Sequence, residues 1–119
     1  MTYSRILGSG RYLPKRILTN SDLENIVETS SEWIITRTGI EQRHAAGEDE
    51  LTSDLCVEAA KKALKDAKIS ISDIDMIFVG TTTPDLIFPN IATIIQHKMG
   101  IPACPCYAIE AACSSFVYA

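Results

Sequence analysis

Residues 106–116 read Cys106-Tyr107-Ala108-Ile109-Glu110-Ala111-Ala112-Cys113-Ser114-Ser115-Phe116. The first four positions are an apolar run of the kind that forms a buried strand. Small residues follow, and the pattern predicts the start of a helix near Cys113. A thiol at such a junction meets unpaired N–H groups and a positive dipole end, which favour the thiolate. The small neighbours Ala111, Ala112, Ser114 and Ser115 leave room for a thioester to approach. Free cysteine is also among the most buried residue types, so a structural thiol is the competing reading. The segment alone leaves both open. A nucleophile needs a base and an oxyanion site as well, and the chain runs only to Ala119.

Outward from this stretch, Met76–Val79 is apolar at every position, which predicts a strand covered on both faces. Between the two strands, Asn90 is a fitting N-cap and Gly100 a fitting C′ residue for a helix. Its inner face would be Ile91, Ile94, Ile95 and Met99. Upstream, Thr52–Ala67 carries two adjacent rows, Leu55, Ala59, Ala63 and Cys56, Ala60, Leu64. They form one apolar stripe, mostly alanine, that predicts a helix packed closely on a sheet, with Cys56 as a small core residue. Tyr3–Leu7 reads as a short strand ended by a turn at Gly8-Ser9-Gly10. A dinucleotide fingerprint fails there, because Leu13 holds the third glycine's place. Asn20 or Ser21 would cap a helix reaching about Val27, and Ser30 or Ser31 a second one holding Trp33, Ile34 and Ile35. Thr38-Gly39 closes the second, and Ile40–Arg43 reads as a strand. Strands and helices in this alternation predict an α/β or mixed layered fold around a mainly buried sheet.

The 119 residues suit one small domain, and 46% hydrophobic with 22% charged residues is ordinary for a folded protein. A net charge of −4 is not the footprint of a nucleic-acid partner. No signal-peptide pattern and no apolar run of membrane length is visible, so a cytoplasmic protein without a membrane partner is expected. The four cysteines, Cys56, Cys104, Cys106 and Cys113, are expected to be free thiols. Cys104-Pro105-Cys106 with Cys113 fits no common zinc spacing, so no metal site is expected. His97 reads as a residue near a helix C-terminus and not as a catalytic group.

Several separated segments together resemble one family. They are Gly8–Pro14, Ser31–Ile40, Arg43-His44, Gly80–Asp85, Phe88-Pro89 and Ala111–Phe116. In order and spacing they are similar to β-ketoacyl-acyl-carrier-protein synthase III, over essentially the whole chain. The block from Glu32-Trp33-Ile34 to Thr38-Gly39-Ile40 and the cysteine segment are the most specific.

The resemblance implies a thiolase-like layered fold, a mixed sheet packed with helices. Residues 1–119 would be its incomplete N-terminal half, truncated after the nucleophile segment. It implies that Cys113 takes an acyl group, usually acetyl, from acetyl-CoA. The acyl-enzyme would then condense with malonyl-acyl-carrier protein, with loss of carbon dioxide. Acyl-CoA is thus a substrate, and no cofactor is implied. Trp33 matches the tryptophan that stacks on the CoA adenine, Arg37 a basic residue at the nucleotide's phosphates, and Thr29 a hydrogen-bonding neighbour. Physically, an indole beside an arginine on one helical turn suits a nucleotide, the alternative being a core tryptophan with a surface arginine. Phe88 matches a residue that crosses the interface of a homodimer to line the partner's acyl pocket.

The chain departs from the family at three places. Ser115 replaces a usual glycine, which is expected to crowd the acyl pocket or change its chain-length preference. Ala108 stands where an aspartate is common, and a carboxylate at Glu110 would raise a nearby thiol's pKa. The family's histidine and asparagine belong to the second half of the fold, and neither His44 nor His97 matches them, so the 119-residue chain alone is expected not to complete the condensation. A related condensing enzyme using other acyl-CoA starters for secondary metabolites is the nearest alternative. A non-catalytic fragment that dimerises with or complements another chain is the alternative of a different class.

Overall fold

The structure is a computed structural model, and it describes residues 3–119. The chain forms two compact units, one of residues 13–50 and the other of residues up to 12 with 51–119.

In the first unit, strand β1 (Arg16–Thr19) pairs antiparallel with β2 (Gln42–Ala45), Arg16 opposite Ala45 and Thr19 opposite Gln42. Helices α1 (Asn20–Glu24) and α2 (Ser31–Thr38) connect them. The expected cap of α1 moves to Thr19, whose hydroxyl accepts the Asp22 N–H while the Asp22 carboxylate accepts the Thr19 N–H. These hydrogen bonds from Thr19 hold the Asp22 carboxyl below its ordinary range. Asn20 is instead buried as a tie: its amide donates to the Ile40 carbonyl and its oxygen accepts from Arg43, both at 2.9 Å. Helix α1 ends at Glu24, short of Val27, and a turn follows in which Ile26 and Val27 both donate to the Leu23 carbonyl. The second helix follows the sequence closely. Ser30 caps it by accepting the Trp33 N–H, Gly39 ends it at φ 70°, and Ile34 is its buried residue. Strand β2 begins at Gln42 and not at Ile40, since both backbone groups of Ile40 are bonded elsewhere, to Thr38 and Asn20.

In the second unit, β3 (Ile77–Gly80) and β4 (Cys106–Ile109) are parallel, Ile77 opposite Cys106 and Gly80 opposite Ile109. Helix α4 (Ile91–Met99) forms the crossover that a parallel pair requires. It is capped by Asn90 and closed by Gly100 at φ 68°, as its sequence predicts. It packs on both strands and on α3 (Thr52–Ala67). Val57, Ile91 and Ile95 form the core, with Cys56, Val79 and Met99 against it. Val57 is the buried apolar residue of α3, although it stands outside the expected stripe. The amino end of α3 is fixed to the segment after β3: Thr52 donates to the Thr83 carbonyl (2.7 Å), and the Ser53 N–H to Asp85 (3.0 Å). Lys98 adds 2.6 Å contacts to Ser53 and Asp54.

Three expectations fail here for physical reasons. Tyr3–Leu7 is not a strand: no partner strand lies beside it among the described residues, and Tyr3 and Ile6 stand in solvent. The glycines that follow are not a plain turn. A Cβ on Gly8 would lie 2.8 Å from the Ala63 carbonyl oxygen, and one on Gly10 would overlap the Ala59 carbonyl. The alanines of α3 thus take extended backbone at this point, and the expected close packing is helix against chain. The two-strand sheet, for its part, is covered on one face only. Along β3 half-buried and exposed residues alternate, and Phe78 and Tyr107 stack at 5.3 Å on the open side. Among the described residues no helix is long and apolar enough to cross a membrane.

Candidate active site

Cys113 lies on a short turn between the end of β4 and helix α5 (Ser115–Tyr118). The turn, Ala112–Ser114, is 3-10 helix, closed by the Ser114 N–H on the Ala111 carbonyl at 2.9 Å. The expected helix begins at Ser115, with Cys113 ahead of it and not on its first turn. The thiol is exposed. The residue before it, Ala112, has φ 45°. A left-handed conformation costs an alanine about 1–2 kcal/mol, and it persists only where the surroundings over-determine it.

Those surroundings come from Ser115, a residue only 4% exposed. Its hydroxyl donates to the Ile109 carbonyl (3.2 Å) and accepts the Ala111 N–H (3.1 Å). The same Ile109 carbonyl accepts the Thr81 N–H (3.3 Å), which joins the ends of β3 and β4. Ser115 therefore turns inward onto backbone. Sequence reasoning singled it out as a departure from the family pattern but not as the tie of this turn.

The other thiols are set differently. Burial, with help from the Asp85 charge, pushes the Cys56 thiol up. Burial, then the neighbouring Cys104, does the same to Cys106. His44 bonds the Pro14 carbonyl and so serves the first unit's structure, and His97 lies exposed in the last turn of α4. No group of three or more metal-ligating side chains lies together among the described residues.

In the first unit, Thr29, Trp33 and Arg37 fall on one side. Glu28, Thr29, Ser30 and Trp33 line one shallow depression, and Ser30, Glu32, Trp33, Thr36 and Arg37 line an adjoining one. Trp33 is 58% exposed, so it is not a core tryptophan; Ile34 beside it is the buried residue. An open indole with a guanidinium one turn further on offers stacking and anion contact on a single surface. Phe88 belongs to the second unit. It is 86% exposed and follows Leu86 and Ile87, which are exposed too. An apolar cavity of about 360 Å³ lies elsewhere in that unit, among Leu7, Ala63, Leu64, Met76, Phe78 and Met99, and does not include Cys113.

Comparison with known proteins bears on the family and the fold. Residues 34–119 match the family model for the thiolase N-terminal domain. The chain is 55% identical over 120 residues to β-ketoacyl-[acyl-carrier-protein] synthase III of Thiobacillus denitrificans, covering 100% of this chain and 38% of that protein. It is 56% identical over 117 residues to the enzyme of the same name from Xylella fastidiosa, covering 98% of this chain and 36% of that protein. Among solved structures, 3-oxoacyl-[acyl-carrier-protein] synthase III from Aquifex aeolicus superposes with a TM-score of 0.89 at 46% identity, over 96% of this chain and 37% of that one. The priming β-ketosynthase of the R1128 polyketide pathway superposes at 0.90 with 33% identity, over 96% of this chain and 34% of that one. The chain thus spans little more than a third of the length of the relatives it matches.

Proposed function

The chain belongs to the thiolase family, as the N-terminal portion of a β-ketoacyl-[acyl-carrier-protein] synthase III, and from that premise we propose that the complete protein condenses an acyl-CoA with malonyl-acyl-carrier protein. The observation that carries the reading is the Cys113 thiol, exposed on a turn whose backbone is held from both sides.

In the first half-reaction the Cys113 thiolate attacks the thioester carbonyl of acetyl-CoA. The carbon–sulfur bond to CoA breaks, CoA thiolate leaves and takes up a proton, and an acyl-enzyme remains. In the second, malonyl-acyl-carrier protein loses carbon dioxide, and the carbanion that forms attacks the acyl-enzyme and releases the Cys113 thiolate. Groups for the second step are expected from the part of the protein beyond this chain. The thioester and the loss of carbon dioxide supply the chemistry, so no cofactor is required. Trp33 stacks on the adenine, Arg37 meets the phosphates and Thr29 adds a hydrogen bond. The exposure of Trp33 and the shared surface support these roles. The exposed segment Leu86–Phe88 supports a homodimer in which Phe88 reaches the partner's acyl pocket. The net charge of −4 suits a cytoplasmic enzyme with no nucleic-acid or membrane partner.

The test is condensation by the complete protein given acetyl-CoA and malonyl-acyl-carrier protein. Formation of β-ketoacyl product is expected, with complete loss in Cys113→Ala. Full activity in Cys113→Ala would overturn the assignment. The likeness to the R1128 priming β-ketosynthase favours one second reading, an enzyme that takes other acyl-CoA starters. A higher kcat/KM for a longer acyl-CoA than for acetyl-CoA would select it.

A further inference from the structure

Gly80 closes β3, and its φ lies outside the left-handed region, so conformation does not require a glycine there. A glycine inside a strand without such a need marks a close approach. The approaching group is Ser115. A Cβ on Gly80 would overlap the Ser115 Cβ and stand 3.2 Å from its Oγ. From that buried position the Ser115 hydroxyl bonds Ile109 and Ala111, the residues that lead into the Cys113 turn.

We propose that Gly80 and Ser115 are a size-matched pair that positions the Cys113 thiol for acylation. The inference rests on the reading of Cys113 as the acyl acceptor and names the residues that hold it in place. The missing side chain at position 80 admits Ser115. Its hydroxyl then fixes the backbone at 109–111, and with it the left-handed Ala112 and the direction of the thiol. Ser115 is a positioning residue: it touches backbone and not substrate. CoA recognition, placed on Trp33 and Arg37, is independent of the pair.

The test uses the complete protein and follows acetyl transfer from acetyl-CoA to Cys113 by rapid-quench peptide mass analysis. Gly80→Ala is expected to lower the limiting acetylation rate by roughly ten- to a hundredfold with the half-saturating acetyl-CoA concentration unchanged. Adding Ser115→Gly to Gly80→Ala makes room again and is expected to bring the rate back to about that of Ser115→Ala, since both lack the hydroxyl. Ser115→Ala, which removes only the hydroxyl, is expected to speed hydrogen exchange at the Ala111 amide and to slow acetylation several-fold. An unchanged rate in Gly80→Ala would overturn the proposal, and so would a double variant as slow as the single one. Should Gly80→Ala fail to fold, Ser115→Ala decides alone: unchanged Ala111 exchange and acetylation overturn the pairing. An unmodified protein that never acetylates Cys113 overturns the acyl-acceptor reading instead. The two failures stay distinct, because Ala111 exchange reports the hydroxyl's bonds without acetyl-CoA.

Discussion

Helix α2, which carries Trp33 and Arg37, is fixed by its neighbours in sequence: the Ser30 hydroxyl at one end and the left-handed Gly39 at the other. The turn that carries Cys113 is fixed by residues far along the chain, Gly80 and Thr81 on β3 and the loop after it, together with the inward-facing Ser115. The first arrangement presents the surface proposed for CoA. The second holds the proposed nucleophile on strained backbone. On this reading the binding surface is encoded locally, while the position of the thiol depends on tertiary packing.

The contrast is most exposed where chain meets helix in the second unit. Gly10→Ala would set a Cβ against the Ala59 carbonyl, both atoms on backbone that cannot give way. Forced overpacking of this kind costs about 3 kcal/mol, readable as a loss of stability in urea unfolding. A neutral result would mean that this packing is loose and that tertiary contacts do not govern the unit. Trp33→Ala, by contrast, removes an exposed side chain. It is expected to raise the half-saturating acetyl-CoA concentration about tenfold, which is about 1.4 kcal/mol of stacking, while the limiting acylation rate stays put. A fall in that rate would erase the separation between binding surface and nucleophile.

Ser30→Ala tests the local side directly. Loss of this N-cap is expected to cost about 1 kcal/mol, seen in thermal unfolding, with the limiting rate of Cys113 acylation unchanged. The smallest effect concerns Asp54. The hydrogen bond from Lys98, then the Leu51 N–H, hold its carboxyl below the ordinary 3.8. A carboxyl lowered in the folded state stabilises the protein above that value, and the contribution is lost as pH falls through the folded value. Asp54→Asn should therefore lower stability slightly at neutral pH, little because the pair is largely open to solvent, and flatten the acid limb by that same amount. An unaltered acid limb would remove the Lys98–Asp54 tie from the account.

What could be read from sequence follows the same division. Helices α2, α3 and α4 and strand β4 appear where caps, glycines and apolar periodicity place them, because those signals act within a turn or two of the chain. Cys113 was visible as a candidate from its small neighbours and its place after a strand, while Trp33 and Arg37 became candidates through the family resemblance. The strand expected at Tyr3–Leu7 was misplaced because pairing depends on a distant partner. The glycines at 8, 10 and 80 were equally silent. Each is explained by what lies opposite in space, an α3 carbonyl or the Ser115 side chain. Ser115 itself was visible only as a departure from the family pattern. Its inward orientation, set by free backbone groups at 109 and 111, cannot be read from the chain alone.

The central claim is that Cys113 is the acyl acceptor. The most direct measurement is peptide mass analysis of the complete protein after brief exposure to acetyl-CoA without malonyl-acyl-carrier protein. The account predicts one acetyl group, on the peptide that contains Cys113, absent in Cys113→Ala and absent from peptides with Cys56, Cys104 and Cys106. Acetylation of another cysteine, or an unmodified Cys113 peptide, would contradict it.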